Sequence, residues 1–526
     1  MRNFEYPGRS PVLSLNGMCA TSHPLAAQAA VEILKAGGNA VDAGIAAAVL
    51  LGLCEPQSTG IGGDCFALVK PAGSNEVHAL NSSGRAPAAT DPEQLRSLGP
   101  VIEVYNNPHA VTIPGAISGF AALSERFGKL GLAQSLAPAI HYAEEGVPVA
   151  GRVSRDWRLE GLHLKSDTAR AYFLNQGKPM AHGELFRAPG QAEVLRRIAQ
   201  EGPSAFYEGE VAEDMLKAVE GGCHSLEDFA VGAKAACWVD PVTGPYRSRT
   251  IAESPPNTQG AAAVLMAAIL QEFDIAGMDP LGAERTHIEI EAQKLAYDAR
   301  DRFVADPDHM ADPARLLRPG LGAELAALID PGRVQEHVAS VTEAVHRDTV
   351  YLCVVDRDGM ALSLIYSIFH SFGSGLVSPK FGILMQNRGA GLSLVPGHPN
   401  EAGPGKRPMH TIIPGMMLHD GRVEMPFGVM GGQYQAAGHA RLLSNILDFG
   451  MDPQEAIDAP RFFSTSKGVE WEEAMPEATR AALVAKGHRL FAAPKPIGGA
   501  QAIRITPEGV LIGGSDPRKD GCAIGY

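Results

Sequence analysis

The sequence has little that would commit it to a disulfide scaffold, a membrane or a nucleic acid. Its seven cysteines (Cys19, Cys54, Cys65, Cys223, Cys237, Cys353 and Cys522) are scattered, odd in number and form no C-x-x-C pair. Neither a disulfide framework nor a cysteine-based zinc site is indicated. The longest apolar run, 40–53, is fourteen residues and contains Asp42. It is too short to span a bilayer and reads as a buried helix. Residues 1–10 carry both signs of charge and no apolar core, unlike a secretory leader. Lysine plus arginine number 45 against 59 acidic residues, a net charge of −14 with no long run of either sign. Such a surface argues against nucleic acid and anionic membrane as partners. No internal repeat is visible, and a soluble cytoplasmic protein is the expectation.

At 526 residues the chain can bury a large core. Helices are predicted over 24–36, closed by Gly37-Gly38, and over 40–53, with Asn39 as N-cap. Others are predicted over 116–127, 132–145, 261–273, 433–449 and 474–488. A highly charged helix over 284–303 is expected to pack on the outside. Strands are predicted over 65–70, 78–81, within 236–253, over 382–386, 410–418 and 423–428, and twice near 501–513. The glycine-rich stretch Gly60-Ile61-Gly62-Gly63-Asp64 follows a helix rather than a strand, and no Gly-Lys-Ser/Thr succeeds it. It therefore reads as a loop packed close to other backbone, not as a phosphate cradle.

The chain centres on 349–375. Residues 350–355 are apolar, aromatic or β-branched and suit a buried strand. Asp356-Arg357-Asp358-Gly359 reads as a tight turn, and 360–368 as the returning strand. Thr349 thus stands at the mouth of a central hairpin, just after a polar stretch, 340–348. A threonine there is ordinarily a plain strand residue. His398, His410, His419 and His439 have spacings that fit no metal motif, so neither a metal nor any other cofactor is expected.

Thr349-Val350-Tyr351-Leu352-Cys353-Val354-Val355-Asp356, Phe372-Gly373-Ser374-Gly375, Lys406-Arg407-Pro408, Gly431-Gly432 and Ala459-Pro460-Arg461-Phe462 together resemble the γ-glutamyltransferase family of N-terminal-nucleophile hydrolases. The resemblance extends from Ala20 to the C-terminus. It implies an α/β fold, a four-layer αββα sandwich. It also implies a precursor that cuts itself between Asp348 and Thr349 into a large chain 1–348 and a small chain 349–526, which stay associated as one domain. A further homo-oligomer is compatible with this reading. Cleavage has a chemical purpose. A threonine hydroxyl needs a base, and a free α-amine, titrating near about 7.7–8.0, provides one on the same residue. The resemblance also makes Ser367 a supporting hydroxyl and Gly431 and Gly432 an oxyanion hole. Two backbone N–H groups before a helix suit that role, and each such donor is typically worth about 3 kcal/mol. It places His410 and Thr411 where the family has two hydroxyl residues near the substrate.

The substrate anchors depart from the glutathione-acting pattern. Ser83 stands where those members carry an arginine; Arg85 would serve only if the strand continued past it. Phe369 replaces an asparagine, and Arg388 and Gly391 replace a glutamine and an aspartate. The acidic partner for an ammonium group is gone and an arginine has appeared, which favours a carboxylate-bearing ligand. Phe369 makes the pocket smaller or less polar. Asn387-Arg388-Gly389-Ala390-Gly391 and Gly397-His398-Pro399-Asn400 resemble the branch containing oxamate amidohydrolase and glutathione-hydrolase-like proteins. The expected substrate is therefore a small acid amide, oxamate, cleaved to oxalate and ammonia. The alternative is a γ-glutamyl hydrolase or transpeptidase; a more distant one is a non-catalytic ligand-binding relative that never processes.

Overall fold

A computed structural model describes residue 5, residues 8–335 and residues 349–526. The expected junction residue Asp348 lies outside them.

Two seven-stranded sheets, each antiparallel throughout, form the centre. One runs in the order Cys522–Gly525, Gly17–Thr21, Val350–Asp356, Ala361–Ser367, Asp64–Lys70, His78–Ser82, Cys237–Val239. The other runs Val12–Ser14, Leu511–Ser515, Gly499–Ile505, Arg422–Met430, Gly415–His419, Arg249–Glu253, Val242–Tyr246. The strands after residue 349 are interleaved with strands from the first half, so neither half closes a sheet alone.

The two-residue period of a strand assigns the faces. Tyr351, Cys353 and Val355 point between the sheets, where they meet Ala252, Met416, Met430 and Ile503. Val350, Leu352 and Val354 point the other way, onto helix Ala40–Cys54, which packs in turn on Pro24–Lys35 and Leu132–Glu145. On the far side of the second sheet, Ile251, Met417, Phe427 and Val429 face helices Gly260–Leu270 and Gln435–Leu447, and helix Ala283–Phe303 packs on those two. The result is the expected order of helix, sheet, sheet, helix. Ala40–Cys54 is buried along its whole length and starts with a capping box of Asn39 and Asp42.

Three sequence expectations need correction. Helix Ala283–Phe303 is not an external element: Arg285, His287, Glu289, Glu291 and Arg300 on it are all buried. Its buried charges include an internal chain of pairs, Arg285 with Glu289 and Glu289 in turn with Arg441. Residues 382–386 form no strand of either sheet; Leu384 makes an isolated bridge to Val377. The strand expected over 410–418 begins only at Gly415, because His410 is held by the 257–259 loop instead: its N–H donates to Asn257 O at 2.7 Å and its carbonyl accepts from Gln259 N at 3.0 Å. Among the described residues, no helix is long and apolar enough to cross a membrane.

Candidate active site

The register Val350↔Tyr366 places Thr349 directly across from Ser367, and their hydroxyl oxygens lie 3.3 Å apart. Both residues are buried. Ser367 is fixed from the other side, since its Oγ accepts the N–H of Phe369 at 2.9 Å. The glycine loop explains how the helix end at Cys54 reaches this position. A Cβ on Gly62 would lie 2.2 Å from Leu384 O, and one on Gly63 2.3 Å from Ser367 O. Only glycine lets the loop press against the backbone that carries the serine, as the close-packed reading of this stretch predicts.

Phe369 has φ +82°, a left-handed conformation that costs a non-glycine residue on the order of 1–3 kcal/mol. The backbone turn puts its ring between two partners. His370 stacks on it with centroids 4.4 Å apart, and the Arg388 guanidinium lies 3.7 Å from the ring centre. Arg388 has 0% exposure, and its Nη1 donates to Thr411 Oγ1 at 3.2 Å. The residues expected at the substrate, Phe369, Arg388 and Thr411, are thus in one contact group.

His410 joins them through electrostatics. It is fully buried, and its Nε2 faces Asp64 Oδ2 at 3.1 Å. Burial, with the neighbouring Arg388 adding to it, pushes the imidazole down to about 3, so His410 is neutral and the contact is a hydrogen bond rather than an ion pair. Nε2–H must then be the donor, since Asp64 supplies only acceptors. Asp64 is itself held by Gly84 N at 2.8 Å, Gly115 N at 3.0 Å and the Gln386 amide at 2.8 Å, all on Oδ1.

Gly431 ends the strand Arg422–Met430 with φ +122°, and Gly432 follows with φ +59°. Two consecutive left-handed residues turn the chain into Gly432–Tyr434 and then helix Gln435–Leu447. Gln259 ties this turn to Thr411, its side-chain amide donating to Thr411 O at 2.6 Å and Gly432 O at 3.1 Å. Arg300 Nη1 in turn donates to the Gln259 side-chain oxygen Oε1 at 2.7 Å.

Arg85 is placed differently from the rest. The strand His78–Ser82 ends before it, and its Nη1 goes to Gly405 O at 2.9 Å and Asp306 at 3.3 Å. The guanidinium beside Ser83 belongs to Arg407, which donates to Ser83 O and Oγ and to Ala235 O. Sequence reading missed Asp64, Gln259, Arg300 and Arg407 as parts of this assembly. Asp64, at the end of a glycine loop, Arg407, inside Lys406-Arg407-Pro408, and Arg300, on the helix predicted over 284–303, stand in stretches already described, but without a role at the site.

Two face-to-face antiparallel sheets between helical layers, with a buried hydroxyl residue heading a central strand, define an N-terminal-nucleophile hydrolase fold. Residues 26–526 match the family described as Gamma-glutamyltranspeptidase, and the chain belongs to that family. It is an enzyme of the hydrolase type that the family comprises. It is 34% identical to the Glutathione hydrolase-like YwrD proenzyme of Bacillus subtilis (strain 168), over 98% of this chain and 99% of that one. It is 33% identical to the Oxamate amidohydrolase proenzyme of Klebsiella pneumoniae subsp. pneumoniae, again over 98% and 99%. Among solved structures, cephalosporin acylase from Bacillus halodurans superposes with a TM-score of 0.92 at 39% identity, covering 100% of this chain and 99% of that one.

Proposed function

We propose that the protein is a self-processing N-terminal-threonine amidohydrolase for a small carboxylate-bearing amide, with oxamate as the leading substrate. The observation that carries the mechanism is the 3.3 Å contact between Thr349 Oγ1 and Ser367 Oγ at the head of a central strand. Cleavage of the Asp348–Thr349 bond frees the α-amine of Thr349. That amine takes the hydroxyl proton as Oγ1 attacks the amide carbon, and the N–H groups of Gly431 and Gly432 receive the oxyanion. The C–N bond breaks, the nitrogen leaves as ammonia with the proton, and water hydrolyses the ester on Thr349. Ser367 orients the nucleophile.

The choice of substrate rests on Arg388. It is a buried cation flattened on Phe369 and bonded to Thr411, suited to one carboxylate close to the reacting carbon. His410 and Thr411 complete the wall. Phe369 fills space that a longer glutamyl arm would need. The similarity to an oxamate amidohydrolase proenzyme supports this reading. The similarity to a glutathione hydrolase-like proenzyme keeps a γ-glutamyl hydrolase or transpeptidase as the second reading.

The test has two parts. Intact mass under denaturing conditions should give two chains that divide before Thr349, and one uncut chain for Thr349→Ala. Parallel assays should then show ammonia release from oxamate and little turnover of a γ-glutamyl anilide. An uncut, inactive wild-type chain would remove the nucleophile; turnover of the anilide alone would move the second reading to first place.

A further inference from the structure

Apart from the residues grouped around Thr349, the buried helix Ala283–Phe303 carries His287 and Glu291 one turn apart on one face. His488, from the segment after helix Glu477–Ala485, closes on them. The ligand atoms of the three side chains lie within 4.8 Å of one another, and all three residues are buried. This cluster shares no residue with the site around Thr349. We propose that His287, Glu291 and His488 form a binding site for a divalent transition-metal ion of the zinc class, independently of the function proposed above.

The tautomer of His287 is already the one a metal requires. Its Nε2 faces the Asp330 carbonyl oxygen at 2.8 Å. A carbonyl only accepts, so Nε2 carries the proton and Nδ1 presents its lone pair. A backbone carbonyl that accepts the far N–H is a usual outer partner of a metal-bound histidine. That lone pair accepts the Nε2–H of His488, 2.7 Å away, a proton that moves to His488 Nδ1 when an ion takes Nε2, and the same Nε2 is 4.0 Å from Glu291 Oε1. Metal–ligand bonds of roughly 2.0–2.2 Å in a tetrahedral site set ligand–ligand separations of about 3.3 Å. The separations of 2.7 and 4.0 Å, with all three atoms inside 4.8 Å, bracket that value, so side-chain shifts on the order of 1 Å make room for the ion. Two neutral imidazoles and one carboxylate match zinc-like ions and not magnesium or calcium, which take oxygen ligands almost exclusively.

Two groups compete with the ion or buttress it. Lys294 Nζ holds Glu291 Oε1 at 2.7 Å and must yield this oxygen when the ion binds. Gln335 N donates to Glu291 Oε2 at 3.2 Å, and Val334 N to Lys486 O at 2.9 Å. The segment from Asp330 to Gln335 is therefore the outer shell of the site. An ion would fasten this segment to helix Ala283–Phe303.

The experiment uses the untagged full-length protein after chelator treatment. It is titrated with Zn²⁺ by calorimetry and with Co²⁺ by visible absorption. One ion per chain is expected, with a cobalt d–d band of a four- or five-coordinate site. His488→Ala and Glu291→Gln should each weaken binding at least tenfold, and Lys294→Met should tighten it. Thr349→Ala should bind as the wild type does, which separates this site from the nucleophile's amine. Should His488→Ala fail to fold, the opposite effects of Glu291→Gln and Lys294→Met still decide. No binding by the wild type at micromolar Zn²⁺, or binding unchanged in both Glu291→Gln and Lys294→Met, overturns the proposal.

Discussion

Ser367 faces Thr349 across an antiparallel pair, hydroxyl to hydroxyl at 3.3 Å, and its oxygen also accepts the N–H of Phe369 at 2.9 Å. One side chain thus holds both Thr349, the proposed nucleophile, and the residue that supports Arg388. Ser367→Ala should lower kcat on the order of 100-fold, the scale of a small misplacement at a reacting atom. It should also cost about 1–3 kcal/mol of stability, because the buried N–H of Phe369 loses its acceptor. Ser367→Thr should recover part of the rate. Steady-state kinetics beside thermal melts check this. A rate that falls only in step with the folded fraction would mean that Ser367 is purely structural.

Arg388 is the residue on which substrate charge should depend. Arg388→Met keeps much of the volume and the contact with Phe369 but removes the guanidinium. For oxamate, kcat/KM should fall about 100-fold or more, the loss of a charge-assisted pair worth roughly 3 kcal/mol. For a neutral amide of similar size it should change little. Comparing the two substrates on the wild type and the variant measures this. Equal losses on both would assign Arg388 to scaffolding.

The central hairpin was legible because burial on both faces leaves an uninterrupted apolar run, and Asp356–Gly359 has turn chemistry with Gly359 at φ +87°. The capped helix after Asn39 and the helices at 116–127 and 132–145 were readable from local pattern in the same way. What local pattern could not supply is partnership at long range. Helix Ala283–Phe303 looks external because it is charged, yet Arg441 and Lys294 meet its acids inside the protein. Asp64 meets His410 across 346 positions. Arg407 rather than Arg85 lies beside Ser83, because the strand stops at Ser82 and the chain from 406 to 410 crosses over it. Family motifs brought Ser367, Phe369, Arg388 and Thr411 into view as a group. The supports behind them became visible only in three dimensions.

His410 fixes an expectation for pH. Its folded pKa, about 3, lies below the ordinary value of 6.5, because burial and Arg388 disfavour the cation. The unfolded chain therefore binds the extra proton more readily between pH 3 and 6.5. Stability from this residue is complete above about pH 6.5 and is lost as pH falls through that window. His410→Asn should flatten the stability curve there. Activity, by contrast, should show an acid limb near about pH 7.7–8.0 from the Thr349 amine, unmoved in whatever activity His410→Asn retains. Melts and kcat/KM profiles over pH 4–9 read the two separately.

Glu55 gives the opposite sign. It is buried at the end of helix Ala40–Cys54, takes a hydrogen bond from the Ser22 hydroxyl, and is pushed up to about 7 by burial. Lys519 offsets part of that burial penalty. Because the folded pKa exceeds the unfolded one near 4.5, the folded protein holds this proton more tightly. The stabilisation is present below about pH 4.5 and is lost as pH rises through 7. Glu55→Gln keeps the shape and an acceptor for Ser22 and cannot ionise. It should remove the downward slope of stability between pH 5 and 7. At pH 8 it should melt above the wild type, since there the wild type must bury a carboxylate charge. Thermal melts of both proteins at pH 5 and pH 8 provide the measurement. A variant that melts lower at both pH values by the same amount would show that Glu55 is ionised throughout and held by Lys519.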